Sequence, residues 1–268
     1  MFYKTQEEIE LIRESCHLVC RTIALVAQHI KPGKTGLEID KLAEEFIRDN
    51  GAVPAFKGYR GFSNTLCVSV NEQVVHGIPG KQVFTDVDIV SVDCGVCKNG
   101  FFGDAAYTLI FKNVDESTKK LCSVTKTSLY LGINEATAGK RVGDIGNAIQ
   151  AFAEIKHRYG IVRELVGHGI GKSLHEPPDV PNFGKRGQGP ILKEGLVIAI
   201  EPMINRGTQK VTQLDDGWTI VTRDKQASAH FEHTIAIRKG KADILSDHSY
   251  IEEAIKNNET LTDVSIIL

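Results

Sequence analysis

"VDCGVCKNGFFGDAAYTLI", residues 92–110, sets Asp93 and Asp104 on either side of an Asn-Gly pair. Asn99-Gly100 between extended, apolar-rich flanks is a strong hairpin signal, because a two-residue type I′ loop needs positive φ at both positions. With the loop there, Lys98 faces Phe101, Gly95 faces Asp104 and Asp93 faces Ala106. Side chains on one sheet face recur every second residue, so the two acids are diagonal neighbours on one face, their Cβ atoms roughly 7 Å apart. Only Gly95 and Ala106 stand opposite them, and two ionised carboxylates in so small a space repel unless a cation joins them. A pair of Asp on a hairpin is ordinarily a solvated face. Here residues 89–92 leading in and 107–111 leading out are apolar runs of the kind buried on both faces.

The chain has 268 residues, 25% of them charged, with 32 basic against 34 acidic side chains. That length can bury a large core, and a balance so near neutrality gives no ground for nucleic acid or an anionic membrane as partner. The charged, helix-periodic opening MFYKTQEEIELIRESC lacks the apolar segment of a signal peptide. No apolar run reaches the ~18 residues that span a bilayer. The expectation is a single domain over residues 1–268, cytoplasmic and monomeric. Six cysteines without framework spacing suit a reducing compartment. Cys94 and Cys97 have C-x-x-C spacing but run straight into the hairpin turn, so they read as small strand residues rather than redox or zinc groups.

Apolar residues recur at helical spacing from Gln6 to about His29 and stop at KPGKTG. LEIDKLAEEFIRDNG reads as a second helix, and the strands NTLCVSV and TDVDIVSVD lead to the hairpin. The order restarts at Glu116: a helix from about Ser117 to Glu135, a stop at AGKRVGD, a helix through IGNAIQAFAEIKHRYG, then strands in LKEGLVIAIEP and FEHTIAI. KPGKTGLEID lies over TAGKRVGDIG with Gly33 on Gly139, Lys34 on Lys140, Glu38 on Asp144 and Ile39 on Ile145. Such a repeat predicts one unit duplicated about a pseudo-two-fold axis, in halves of about 1–114 and 115–240. The tail, 241–268, reads as a short helix and an apolar strand.

In the second half an apolar strand ends in Glu201 and a later strand carries Glu232, answering to Asp93 and Asp104. The longer connection between them contains an inserted hairpin, QLDDGWTIVTRD. Four carboxylates gathered by the axis would carry about −4 in a largely buried space, which is untenable without cations. Two divalent ions offset that charge, and a dinuclear site activates water. Oxygen-dominated ligands with one or two His favour Mn, Fe, Co or Zn.

His168 and His175 lie in LVGHGIGKSLHEPP, and His76 lies in NEQVVHGIPG. A lone histidine is usually a structural hydrogen-bonder. Three in glycine-rich loops beside an acid cluster point to ligation, oxyanion donation or proton transfer, the glycines letting backbone approach a ligand. Gly171-Lys172-Ser173 is no P-loop, since Val166 stands where a glycine is required. His175-Glu176 starts no zinc-protease helix, because Asp179 replaces the second His after Pro177-Pro178.

NEQVVHGIPG, VDCGVCKNGFFGDAA, GHGIGKSLHEPP, AIEPM and FEHTIAI occur in the order and spacing of the type I methionine aminopeptidases, which the sequence resembles over about residues 3–240. The resemblance implies an α+β pita-bread fold, two pseudo-two-fold-related halves of helices packed on a curved antiparallel sheet. It implies a hydrolase that removes the initiator methionine from nascent chains whose second residue is small. Asp93, Asp104, His168, Glu201 and Glu232 would ligate two divalent metal ions, with Asp104 and Glu232 bridging. Glu201 would shuttle the proton, His175 would polarise the scissile carbonyl, and His76 would contact the scissile amide. The methionine pocket would be lined by Phe56, Tyr59, Phe62, Cys67, Leu174 and Trp218 beside the two catalytic histidines, walls that suit a thioether. Phe62 stands where tyrosine is frequent, Leu174 where phenylalanine is frequent, Gly95 where some members have threonine, and His230 where glutamine is common.

The resemblance allows a transient association with the ribosome. Two alternatives stay open at this point. Proline-specific aminopeptidases of the same fold share the five ligands but usually carry a large additional amino-terminal domain, for which the sequence has no counterpart. Non-catalytic pita-bread proteins that bind peptide or RNA lose ligands, whereas all five stand here.

Overall fold

A computed structural model describes residues 1–267. Asn99 and Gly100 take φ of 53° and 77°, the left-handed pair that a type I′ loop demands. From there the register runs unbroken to Ile89↔Ile110, so Gly95 faces Asp104 and Asp93 faces Ala106. The strands Ile89–Lys98 and Phe101–Phe111 are central to a five-stranded sheet, with Leu66–Val70 beside the first and Leu261–Thr262 beside the second. Residues 89–92 and 107–111 are buried, as their apolar runs require.

Helix α1 (Gln6–His29) opens on a capping box, Thr5 with Glu8, and lies directly on the hairpin. The approach is close enough that a Cβ on Gly103 would stand 2.4 Å from the Cys16 nitrogen. Helix α2 (Gly36–Asp49) follows after the KPGKTG turn. Helices α3 (Glu116–Glu135) and α4 (Val142–Gln150) repeat the pair. The last of these begins three residues before the expected IGNAIQ and passes into a π-helical turn, Ala151–Lys156. It ends short of Gly160 because Arg158 adopts a left-handed φ of 65°.

The sequence repeat is a repeat of hydrogen bonds. Gly33 (φ 89°) donates to the Phe84 carbonyl and Gly139 (φ 94°) to that of Leu192. Phe84 and Leu192 donate back to Lys34 and Lys140. Glu38 accepts from the Thr35 N–H at 2.9 Å, and Asp144 from the Arg141 N–H at 2.8 Å, so each turn caps its following helix alike. The main apolar cluster runs through both halves, from Ile23 and Val26 of α1 past Val92 and Leu109 to Leu129 of α3 and Ile198.

The second half forms its own antiparallel sheet around Val197–Ile200 and His233–Ala236. The two sheets meet along Phe101–Phe111. Glu232 donates its N–H to the Ala106 carbonyl at 2.9 Å, Thr108 Oγ1 donates to the His230 carbonyl at 2.7 Å, and Thr234 Oγ1 donates to the Asp104 carbonyl at 2.8 Å. This seam brings the acid-bearing strands of both halves together. The inserted hairpin forms from Val211–Gln213 and Ile220–Thr222 and pairs onto Gln73–Val75 of the first half.

The tail forms α5 (Ser249–Lys256), packed on α1, and the short strand Leu261–Thr262. A further short strand of the tail, Asp243–Ile244, pairs with His233–Ala236; Leu268 lies outside the described residues. All six cysteines are free, and Cys94 and Cys97 sit within a strand. No helix among the described residues is long and apolar enough to cross a membrane.

Candidate active site

Asp93 and Asp104 share one face of the hairpin for the reason counted above. Glu201 follows Ile200 directly, and Glu232 immediately precedes His233, the strand partner of Ile200. With the two sheets joined at Ala106 and Glu232, all four carboxylates line one cavity of about 150 Å³. His168 enters from the strand Gly167–Gly169. Its Nδ1 lies 2.9 Å from the Gly169 carbonyl, a geometry that puts the ring proton there and leaves the Nε2 lone pair facing the acids. Nε2 lies 3.6 Å from Glu201 Oε1 and 3.9 Å from Asp104 Oδ2. One ligand atom from each of Asp104, His168 and Glu232 lies within 4.8 Å of the other two.

Such a cluster does not stand ionised by itself. Burial pushes the Asp93 carboxyl up to about 7. Burial, compounded by the neighbouring carboxylates, drives Asp104, Glu201 and Glu232 well above the usual carboxylate range. Burial also holds His168 neutral, the form that ligates metal. Asp93 Oδ1, Asp104 Oδ1 and Glu232 Oε1 are buried without any hydrogen-bond partner. Buried polar atoms are ordinarily satisfied, so three unpartnered oxygens around one cavity fit a bound cation. The donor set, carboxylate oxygens with an imidazole, suits a first-row divalent metal.

The cavity's other wall is apolar. Phe56, Phe62, Cys67 and Leu174 are buried in it, with Tyr59 and Trp218 half-buried at its rim. Phe62 meets Trp218 edge-on at 5.1 Å, and Trp218 meets His76 edge-on at 6.3 Å. Trp218 is presented by a turn in which Asp216 accepts from the N–H groups of Trp218 and Thr219, both at 2.8 Å. His175 stands at the mouth, 4.1 Å between ring centroids from His168, with its Nδ1 3.0 Å from the Tyr59 hydroxyl. Burial of its inner side, then the neighbouring His168, Arg60 and His76, keep its imidazole below the ordinary histidine range.

Every residue expected as ligand, catalytic group or pocket wall lines this one cavity. Three more belong to the site. Arg60 and Val75 line it, and buried His230 holds Nε2 3.9 Å from Glu201 Oε2. His230 was legible from strand periodicity, two residues before Glu232; Arg60 and Val75 had no such signal. The glycines beside the histidines also bring backbone close to neighbouring strands: a Cβ on Gly167 would lie 2.4 Å from the Ala199 carbonyl oxygen, and one on Gly77 2.3 Å from that of Val68. Gly95 has a similar reason, since a Cβ there would meet the Phe56 ring at 2.6 Å.

The profile of metallopeptidase family M24 matches residues 10–239. Methionine aminopeptidase 1 of Bacillus subtilis is 49% identical over 243 residues, which is 91% of this chain and 98% of that one. The crystal structure of methionine aminopeptidase from Thermotoga maritima superimposes with a TM-score of 0.90 at 43% identity, covering 92% of this chain and 99% of that chain. A prolidase from Pyrococcus furiosus matches at a TM-score of 0.74 and 23% identity, covering 65% of its chain, a likeness of fold alone.

Proposed function

The chain belongs to metallopeptidase family M24 and has its pita-bread fold, and we propose that it removes the amino-terminal methionine of nascent polypeptides whose second residue is small. The observation that carries this reading is one cavity with two unlike walls. Four buried carboxylates and His168 form one, and an aromatic, sulfur-bearing surface closed by Leu174 forms the other.

Asp93, Asp104, His168, Glu201 and Glu232 would hold two divalent ions. When bound, such ions lower the pKa of water and polarise a carbonyl. The chain's own groups do the rest. The apolar wall takes the thioether, where sulfur–aromatic contacts add about 0.3–1.5 kcal/mol each. The free α-amino group of the substrate would lie beside one of the ions, which selects the end of a chain. Glu201 accepts the proton of the attacking water on a carboxylate oxygen and returns it to the leaving amine. His175, neutral and with Nδ1 engaged by the Tyr59 hydroxyl, offers Nε2–H to the carbonyl oxygen as negative charge develops there. His76, beside Trp218, contacts the scissile amide. The six free cysteines accord with a cytoplasmic site of action, and the family with a metal requirement.

The test is methionine release from Met-Ala-Ser against Met-Lys-Ser, Ala-Ala-Ser and Ala-Pro-Ser, first in metal-free buffer and then with Mn²⁺, Fe²⁺, Co²⁺ or Zn²⁺ added singly. Metal-dependent cleavage of Met-Ala-Ser alone is expected. Cleavage of Ala-Pro-Ser would favour a proline peptidase, and cleavage of nothing with any metal a binding protein.

A further inference from the structure

Arg60 sits in the left-handed region, φ 49° and ψ 24°, between Gly58 (φ 87°) and Gly61 (φ 91°). Side chains with a Cβ resist that conformation, and where one persists beside a functional site its side chain is a candidate for function. A Cβ on Gly58 or Gly61 would meet nothing within 4 Å, so those two are glycines for their backbone angles alone. The loop is therefore shaped to turn out residue 60. The same loop anchors itself through Gly58 N–H to the Phe62 carbonyl and Phe62 N–H to the Tyr59 carbonyl.

What it presents is the only Lys or Arg lining the cavity among the described residues. The guanidinium is exposed, lies 5.3 Å over the Tyr59 ring and makes no ion pair among the described residues. Tyr59 in turn meets His175 at 3.0 Å. Arg60 is thus within roughly 10 Å of the group that faces the scissile carbonyl, about three residues of extended chain. A substrate whose amino terminus is held among the buried carboxylates must leave past the exposed rim, which Arg60 and His175 form.

We propose that Arg60 is a specificity-determining residue that pairs with an acidic side chain at the third or fourth position of the substrate. The inference rests on the aminopeptidase reading and extends it beyond the residues next to the scissile bond. An unpaired, planar guanidinium fits a carboxylate in two-point contact. Its exposure means the pairing acts on capture of the peptide and weakens as salt screens it.

The experiment compares kcat/KM for carboxyl-amidated Met-Ala-Glu-Ser with Met-Ala-Lys-Ser, and Met-Ala-Ser-Glu with Met-Ala-Ser-Lys, using metal-loaded wild-type, Arg60→Ala and Arg60→Lys proteins. Amidation removes the terminal carboxylate as a competing anion. Wild-type protein should prefer one acidic peptide over its lysine partner by about two- to fivefold, through KM, and lose the preference as salt is raised. Arg60→Ala should bring that ratio to about one, and Arg60→Lys should restore part of it. An unchanged ratio in Arg60→Ala overturns the proposal. So does an equal loss on all four peptides, which would mean that Arg60 only supports Tyr59 and His175. Wild-type protein that releases methionine from none of them, nor from Met-Ala-Ser, overturns the aminopeptidase reading itself.

Discussion

Lys4→Met is expected to destabilise the protein by about 3 kcal/mol and to reduce catalysis without touching the cavity. Lys4 Nζ donates to Glu176 Oε2 and to the Phe2 carbonyl, the latter at 3.2 Å. Both side chains of the pair are nearly dry, 5% and 6% exposed. Glu176 Oε1 accepts the Lys172 and Ser173 N–H groups at 2.9 and 3.2 Å, so one carboxylate ties the amino-terminal segment to the turn that carries Leu174 and His175. Removing one partner of a buried pair typically costs about 3–5 kcal/mol, because the other charge is stranded. The two backbone donors still solvate Glu176, which sets the expectation at the lower end. Urea unfolding can be followed through Trp218, the single tryptophan. In Lys4→Met/Glu176→Gln the amide keeps an acceptor for both N–H groups and no charge is stranded, so about 1.5 kcal/mol should return relative to Lys4→Met. A loosened turn misplaces His175, and kcat/KM should fall on the order of tenfold at unchanged metal content. If Lys4→Met unfolds within about 0.5 kcal/mol of wild type and the double variant gains nothing, the pair is effectively solvated and the argument fails.

Three further outcomes are expected. Glu232→Gln and Asp104→Asn should each abolish tight binding of a second metal; two tightly held ions in either variant by elemental analysis would remove these residues from the bridging role. His175→Ala should lower turnover by about 10²–10³-fold and leave metal content intact, whereas loss of metal would make it a ligand. His248→Phe should gain on wild type as pH falls. Burial, then His233 and Lys126, hold the His248 imidazole well below its ordinary value, so the unfolded chain alone binds a proton below about pH 6.5 and wild-type stability drops there. The variant escapes that loss, and unfolding free energies of the metal-loaded proteins at pH 7.5 and 5.5 should converge by about 1.4 kcal/mol; parallel pH profiles would contradict a neutral, buried His248.

The hairpin was legible because everything that fixes it is local. Asn99-Gly100 dictates the loop, the loop dictates the register, and period two dictates which faces the acids share. The duplication was legible because Gly33 and Gly139 each need a positive φ and Glu38 and Asp144 each close a cap, constraints that leave residues behind in both copies. The seam between the halves was not. Glu232 N–H to the Ala106 carbonyl and Thr108 to His230 are made by backbone and by a threonine of no distinctive pattern, across more than a hundred residues of chain. Arg60 escaped for a related reason. Its place at the rim is set by a turn whose φ values follow from Gly58 and Gly61, but whose direction follows from where Phe56 and Phe62 are buried. The strands that the glycines around His168 approach were not legible, because a sequence shows that backbone must approach something, not what it approaches.

The acids were found from sequence by their incompatibility with one another, and the same incompatibility explains how the site is built. Each half supplies two carboxylates on adjoining strands, and neither half can relieve them, because the space opposite is filled by Gly95 and Ala106 in one half and by apolar strand in the other. A loop would move its acids apart or turn them to water. Strands bonded on both edges, as Phe101–Phe111 is by Ile89–Lys98 and by the seam, hold them in place. The repulsion is therefore stored in the metal-free fold, where burial holds the Asp93 carboxyl above its ordinary range, and folding of that form is penalised more as pH rises above that ordinary value. A divalent ion that binds only the folded chain removes the penalty and adds its own stabilisation by mass action. Metal and fold thus depend on each other at this site. The apolar wall makes no such demand: Phe62 and Leu174 need only fit the side chain they enclose, whereas the five polar groups must balance charge.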